Sequence, residues 1–191
     1  MQGKVAFEEA IELSTRLIKN LNSHSISEPD FMREAELLLR DVASARGFFV
    51  ALLTGDWPFG DEIPQTIVEA IRRTAIPSYD LLIKNIVMST AARVEHLRAE
   101  RANQAQGSLV VTKRCLFILK ELKDDDRLKE LLMKITVAIE TKNGSESQKS
   151  FAVEPGEYIA FLERWKYDAR QLRESLSVLM DLMNDLDMIS S

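Results

Sequence analysis

The feature that most constrains this chain is the spacing of its apolar residues, which follows the period of an α-helix and almost never that of a strand. Tyr158, Leu162, Trp165, Ala169, Leu172, Leu176, Leu179, Met183 and Leu186 recur at intervals of four and three over four heptads. That spacing keeps one face apolar, and predicts a continuous helix over about 157–187. Phe31, Ala35, Leu38, Val42, Ala45, Phe49 and Leu52 repeat the pattern and predict a helix over about 28–54. Ser27, three residues before Asp30, offers a side-chain oxygen to the free amides of its first turn, and Pro29 suits that turn. Gly55 suits a left-handed position just past its end. Gly47 lies inside, where glycine weakens a helix by about 1 kcal/mol relative to alanine, and marks a place where another backbone can approach.

The rest of the chain reads similarly. Phe7, Ile11, Ser14, Ile18 and Leu21 share a face of a first helix, with Glu8, Glu9 and Glu12 near the positive end of its dipole. DWPFGDEIP (56–64) reads as a loop, and Ile67, Val68 and Ile71 as a short helix ended before Pro77. Ile83, Val87, Thr90, Val94 and Leu97 mark a long helix over about 78–106, stopped at Gly107. Val111, Cys115, Ile118 and Leu122 mark another, and Leu128, Leu131, Ile135 and Ala138 a further one opened by Asp124, Asp125 and Asp126. Residues 143–157 have no helical period and are expected to form a crossover or linker. No run alternates as a strand would, so no sheet is expected. The expectation is one all-α domain over 1–191, an elongated antiparallel bundle of six to seven helices.

Composition narrows the function. The 46% hydrophobic content supports a globular core, and the one cysteine excludes an internal disulfide and suits a reducing, cytoplasmic compartment. No apolar run reaches the ~18 residues of a membrane span, so no membrane insertion is expected. Two histidines, neither in a Glu-x-x-His or His-x-x-x-His pattern, exclude the standard di-iron bundle and zinc-protease helix. Gly-x-Gly-x-x-Gly, phosphate-loop and Gly-x-Ser-x-Gly patterns are absent from the sequence. The chain therefore carries no recognisable catalytic motif, and no cofactor or metal is expected. The Asp124–Asp126 triplet lacks the second aspartate-rich partner of a magnesium site and reads as a helix start. Cys115 shares a stripe with Val111 and Ile118 and reads as core.

Charge is uneven. Residues 1–70 carry a net −6 and residues 93–123 a net +4, within a whole chain at −5. Only Phe117 interleaves with the basic residues, a poor footprint for nucleic acid, and none is expected as partner. Two sets of residues remain as candidates. Asn85, Ser89, Arg93 and His96 fall on one helical face and could line a polar ligand cleft. Trp57 and Phe59 in the loop, with Met180, Met183 and Leu186 on the last helix, are the candidate contacts for a protein partner or for self-association.

The runs FFVALLTGD (48–56) and KNIVMSTAARVEH (84–96) resemble segments of small uncharacterised cyanobacterial proteins. The resemblance implies a bacterial cytoplasmic origin and a family without an assigned activity, and transfers no functional residue. The expected function is a non-enzymatic interaction or scaffold protein, with homodimerisation as one form. The alternative is a ligand-binding regulatory bundle with its cleft around His96.

Overall fold

The structure, a computed structural model, describes residues 6–144 and 153–189. Among them every regular element is an α-helix: α1 (Phe7–Asn22), α2 (Glu28–Leu39), α3 (Val42–Thr54), α4 (Gln65–Arg98), α5 (Ala102–Lys120), α6 (Asp126–Lys142), α7 (Tyr158–Trp165) and α8 (Ala169–Asp185). All-α stands; the count among the described residues is eight rather than six or seven. Most of the 143–157 crossover, residues 145–152, lies outside the described residues.

The extra helices come from two breaks hidden within unbroken heptads. At Arg40–Asp41 the chain leaves the helix, and Asp41 caps α3 by accepting from the Ala43 amide at 3.0 Å. Ser44 Oγ donates to the Leu38 carbonyl at 2.6 Å, satisfying an acceptor at the end of α2. Val42, placed by spacing on the core face, is consequently exposed. At Lys166 the backbone turns left-handed (φ 52°), ending α7, and Asp168 opens α8. Two further boundaries moved. Glu100, also left-handed (φ 56°), follows the end of α4 at Arg98, and α5 then runs straight through Gly107. Conversely, the expected helices on either side of Pro77 join as α4 across a kink at Ala75 and Ile76. The proline ring forces Ile76 out of the helical region.

The chain forms two compact units: Met1–Leu82 with Lys113–Leu122, and Ile83–Thr112 with Lys123–Ser191. In the first, Ile18, Phe31, Leu39, Phe48, Phe49, Leu52, Ile67, Ile71, Tyr79, Cys115 and Ile118 make a core with almost no solvent exposure. Each such side chain contributes roughly 1.5–3 kcal/mol by leaving water. Gly47 sits where α3 meets α1: an added Cβ would fall 2.6 Å from Ala10 Cβ and 2.9 Å from the Phe7 carbonyl oxygen. The close approach expected at Gly47 is therefore present. Gly55, by contrast, is extended (φ −68°) rather than left-handed, and is small because the Trp57 ring lies 2.6 Å from where its Cβ would be.

The same unit buries a cation. Arg114, 5% exposed, directs Nη1 at the carbonyls of Leu52 (3.2 Å), Leu53 (3.1 Å) and Gly55 (2.7 Å). These are orphan acceptors at the negative end of α3, so charge and hydrogen bonding act together. Asp61 approaches its Nε at 3.5 Å. One of the seven cations in the basic 93–123 stretch is thus a structural cap.

In the second unit α8 packs antiparallel along the C-terminal half of α4. Gln171 Nε2 donates to the Ala91 carbonyl at 3.2 Å, and Arg98 reaches Asp168. On another side of α8, Thr136 of α6 meets Met183 Sδ at 3.5 Å. Asp125 caps α6, accepting from the Arg127 amide at 3.0 Å, as the helix-start reading of the aspartate triplet requires.

Candidate functional site

The residues chosen from sequence fall into three places. On α4, Ser89 is 8% exposed, donates to the Asn85 carbonyl at 2.6 Å and meets Thr112 Oγ1 of α5 at 2.8 Å. Its hydroxyl is spent on helix packing. Asn85, Arg93 and His96 are half-buried, and His96 Nδ1 is buried without a hydrogen-bond partner among the described residues. Trp57 is 7% exposed, with Nε1 donating to the Ala51 and Leu52 carbonyls at 3.1 Å each and its ring stacked on half-buried Phe59 at 6.0 Å. The indole plugs the end of α3. Met183 and Leu186 are buried and Met180 is half-buried, so the apolar stripe of α8 faces the interior of its own unit.

Sequence spacing missed the corner between α7 and α8. Had the helix continued, Trp165 would have stayed on its buried face. With α7 ending, Trp165 is 49% exposed, the one aromatic side chain exposed among the described residues. Its ring lies nearly parallel to that of Tyr167, with centroids 6.5 Å apart at 9°, and Phe161 meets Tyr167 edge-on at 6.3 Å. The Tyr167 hydroxyl is buried without a hydrogen-bond partner among the described residues, and burial pushes its phenol well above the usual range. The indole therefore rests against fixed rings rather than swinging free in water.

Hydrogen bonds and an ion pair converge on the corner at Asp168. Asp168 Oδ1 accepts from the amides of Arg170 (2.8 Å) and Gln171 (2.9 Å), while Gln171 Oε1 accepts from the Asp168 amide at 2.9 Å, a complete capping box. The same carboxylate takes both guanidinium nitrogens of Arg98, the Nη2–Oδ1 distance being 3.2 Å. Arg98 first, then the α8 amides, hold the Asp168 carboxyl well below the usual carboxylate range; reciprocally, Asp168 raises Arg98. Behind α7, the Lys84 ammonium lies over the Tyr158 and Phe161 rings at 5.3 and 5.8 Å and pairs with Glu157 at 3.2 Å.

Four cations lie close to Trp165 along the chain. Arg164, Lys166, Arg170 and Arg173 are exposed, and none forms an ion pair with a described residue. The nearby acids are already engaged: Glu163 with Lys142 at 3.6 Å, Asp168 with Arg98. Glu174, beside Arg173 in the chain, is exposed and forms no ion pair with a described residue. The arrangement also breaks local rules. A left-handed Lys166 costs about 1–2 kcal/mol, and a cation in the first turn of α8 is unfavourable by about 0.3–1 kcal/mol. Such costs gather where a surface serves something besides folding. Two signals in the sequence point here: the Asp168–Gln171 capping-box spacing, and the alternation of Arg164, Trp165, Lys166 and Tyr167.

Elsewhere, a surface concavity of about 660 Å³ lies between α2 and the start of α4, floored by Met32 and rimmed by Glu28, Glu36, Glu69 and Arg73. Its charges largely satisfy one another, Arg73 bridging Glu36 at 3.3 Å and Glu69 at 3.2 Å. Among the described residues no group of three or more histidine, cysteine, aspartate or glutamate side chains is placed to hold a metal, and no helix is long and apolar enough to cross a membrane.

No curated protein and no solved structure matches the chain. A family model described as "Uncharacterised conserved protein UCP020893" matches residues 6–181, nearly the whole length, and the chain belongs to that family.

Proposed function

We propose that this chain is a non-enzymatic interaction protein, cytoplasmic and of cyanobacterial type, that engages its partner through the α7–α8 corner. The observation that carries the reading is Trp165, half-exposed and stacked on the Tyr167 ring. A tryptophan anchor supplies a large contact area at little conformational cost, and such residues dominate binding energy at interfaces. The partner is a different protein or a second copy of this chain; burial of the α8 stripe and of Trp57 favours the corner over either as the contact. The test is affinity capture under native conditions with wild type and Trp165→Ser, each checked for folding by circular dichroism. A defined partner, or a self-associated form, retained by wild type and lost from the variant supports the reading. An identical set from both overturns it.

A second reading has one observation in its favour. The buried His96 Nδ1, which has no hydrogen-bond partner among the described residues, is a donor or acceptor that a small polar ligand could satisfy. A metabolite screen in which a compound raises the melting temperature of wild type, but not of His96→Ala, supports that reading. A screen with no such difference removes it.

A further inference from the structure

We propose that the partner of the α7–α8 corner presents a short acidic segment carrying an apolar residue, which seats against Trp165 while its carboxylates meet Arg164, Lys166, Arg170 and Arg173. This rests on the corner being the contact surface, and adds the chemistry of what it contacts. Four exposed cations within ten residues carry no ion pair with a described residue, while Glu163 and Asp168 are paired with Lys142 and Arg98, which leaves Glu174 as the one acid among them to offset the four. The local field is positive on a chain whose net charge is −5. Arg170 and Arg173, three residues apart, share an exposed face of α8, and the positive end of that helix adds to their field. Guanidinium groups pair with carboxylates in a bidentate fork, which fixes a peptide's register as well as attracting it. Trp165 supplies the apolar half of the recognition, its ring backed by Tyr167.

The size of the patch selects a short segment over a long polyanion. A nucleic acid carries charge along its whole length, and beyond these four cations it would run onto a net acidic molecule. An acidic peptide ends within the patch. Attraction between exposed groups falls off over about 8–10 Å at ordinary ionic strength, so the distant acids do not cancel a local contact.

The experiment is fluorescence anisotropy with the full chain and four probes. These are a labelled polyglutamate peptide with a central Leu-Phe pair, its glutamine counterpart, an oligothymidylate of equal length, and vesicles containing phosphatidylserine. The glutamate peptide is expected to bind, to weaken about tenfold in the Arg170→Gln, Arg173→Gln double variant, and to be lost from Trp165→Ser. Its binding should also fall as salt rises from about 0.05 to about 0.3 M. Equal binding of the glutamine peptide overturns the acidic segment while leaving Trp165 as the contact. Tighter binding of the oligothymidylate or the vesicles overturns it in favour of a nucleic acid or a membrane surface. No binding of the glutamate peptide to wild type overturns it outright. Binding that neither variant alters removes the corner itself. The arginines are exposed and form no ion pair with a described residue, so the double variant is expected to keep the wild-type melting temperature.

Discussion

Arg114→Met removes the guanidinium that closes the end of α3 and replaces its stem with a chain of similar length. Three carbonyls lose a donor, but not equally. The Leu52 carbonyl keeps the Trp57 indole at 3.1 Å, and the Gly55 carbonyl is close enough to solvent to recover a water. The buried Leu53 carbonyl has neither. Leaving a buried acceptor unsatisfied costs about 1–3 kcal/mol, so Leu53 accounts for about 2 and Gly55 for about 1. Methionine returns about 1 kcal/mol, because an ion no longer has to be desolvated and an apolar stem packs in its place. The net loss is about 2 kcal/mol, which for a chain this long lowers the melting temperature by about 4–8 °C. Urea unfolding followed by circular dichroism measures it. Arg114→Lys, whose single ammonium reaches one carbonyl rather than three, should lose about half as much. A methionine variant within about 0.5 kcal/mol of wild type would refute the capping argument. So would a lysine variant less stable than methionine, because desolvation would then outweigh the hydrogen bonds.

Three further predictions follow from separate features. Gly47→Ala raises helix propensity yet drives a methyl group into Ala10 and the α1 backbone, so it should destabilise by about 2 kcal/mol in thermal unfolding, against the sign that propensity gives. Asp168, its carboxyl lowered by Arg98, stabilises the fold fully above the ordinary carboxylate pKa of about 3.9 and loses that contribution as pH falls toward its folded value. The gap in urea midpoint between wild type and Asp168→Asn should therefore be widest near pH 7 and narrow below about pH 4. Cys115 is buried, which pushes its thiol well above the usual range, so a thiol reagent at about pH 8 should leave the native protein unmodified and react once urea is added.

Helix identity was legible because it needs only periodicity, whereas helix ends depend on individual backbone angles. Ser27 and Asp125 announce their caps by residue type, and both act as caps. The breaks at Arg40 and Lys166 were hidden because each costs so few residues that the apolar spacing on its far side stays in phase. Asp41 and Asp168 stood inside those runs as cap residues, but were masked by the heptads around them. Glu100 and Lys166 turn the chain left-handed without a glycine, and nothing in their type signals it. Trp165 belongs to a buried stripe only if the helix is continuous, so the boundary error concealed the exposed aromatic. Of the polar residues of α4, Ser89 is buried and Asn85, Arg93 and His96 are half-buried. What spacing could not reveal was that α5 brings Thr112 against Ser89 and uses that polarity internally.

The most direct test of the account is to place a photo-crosslinking p-benzoylphenylalanine at position 165 and irradiate the protein in its native cell extract. Val50, 38% exposed in the other unit, serves as the control position. A discrete covalent adduct is expected from position 165 and none from position 50, with the crosslinked peptide of the partner rich in aspartate and glutamate. Equal labelling from both positions, or no adduct from position 165 while the protein remains folded, would contradict it.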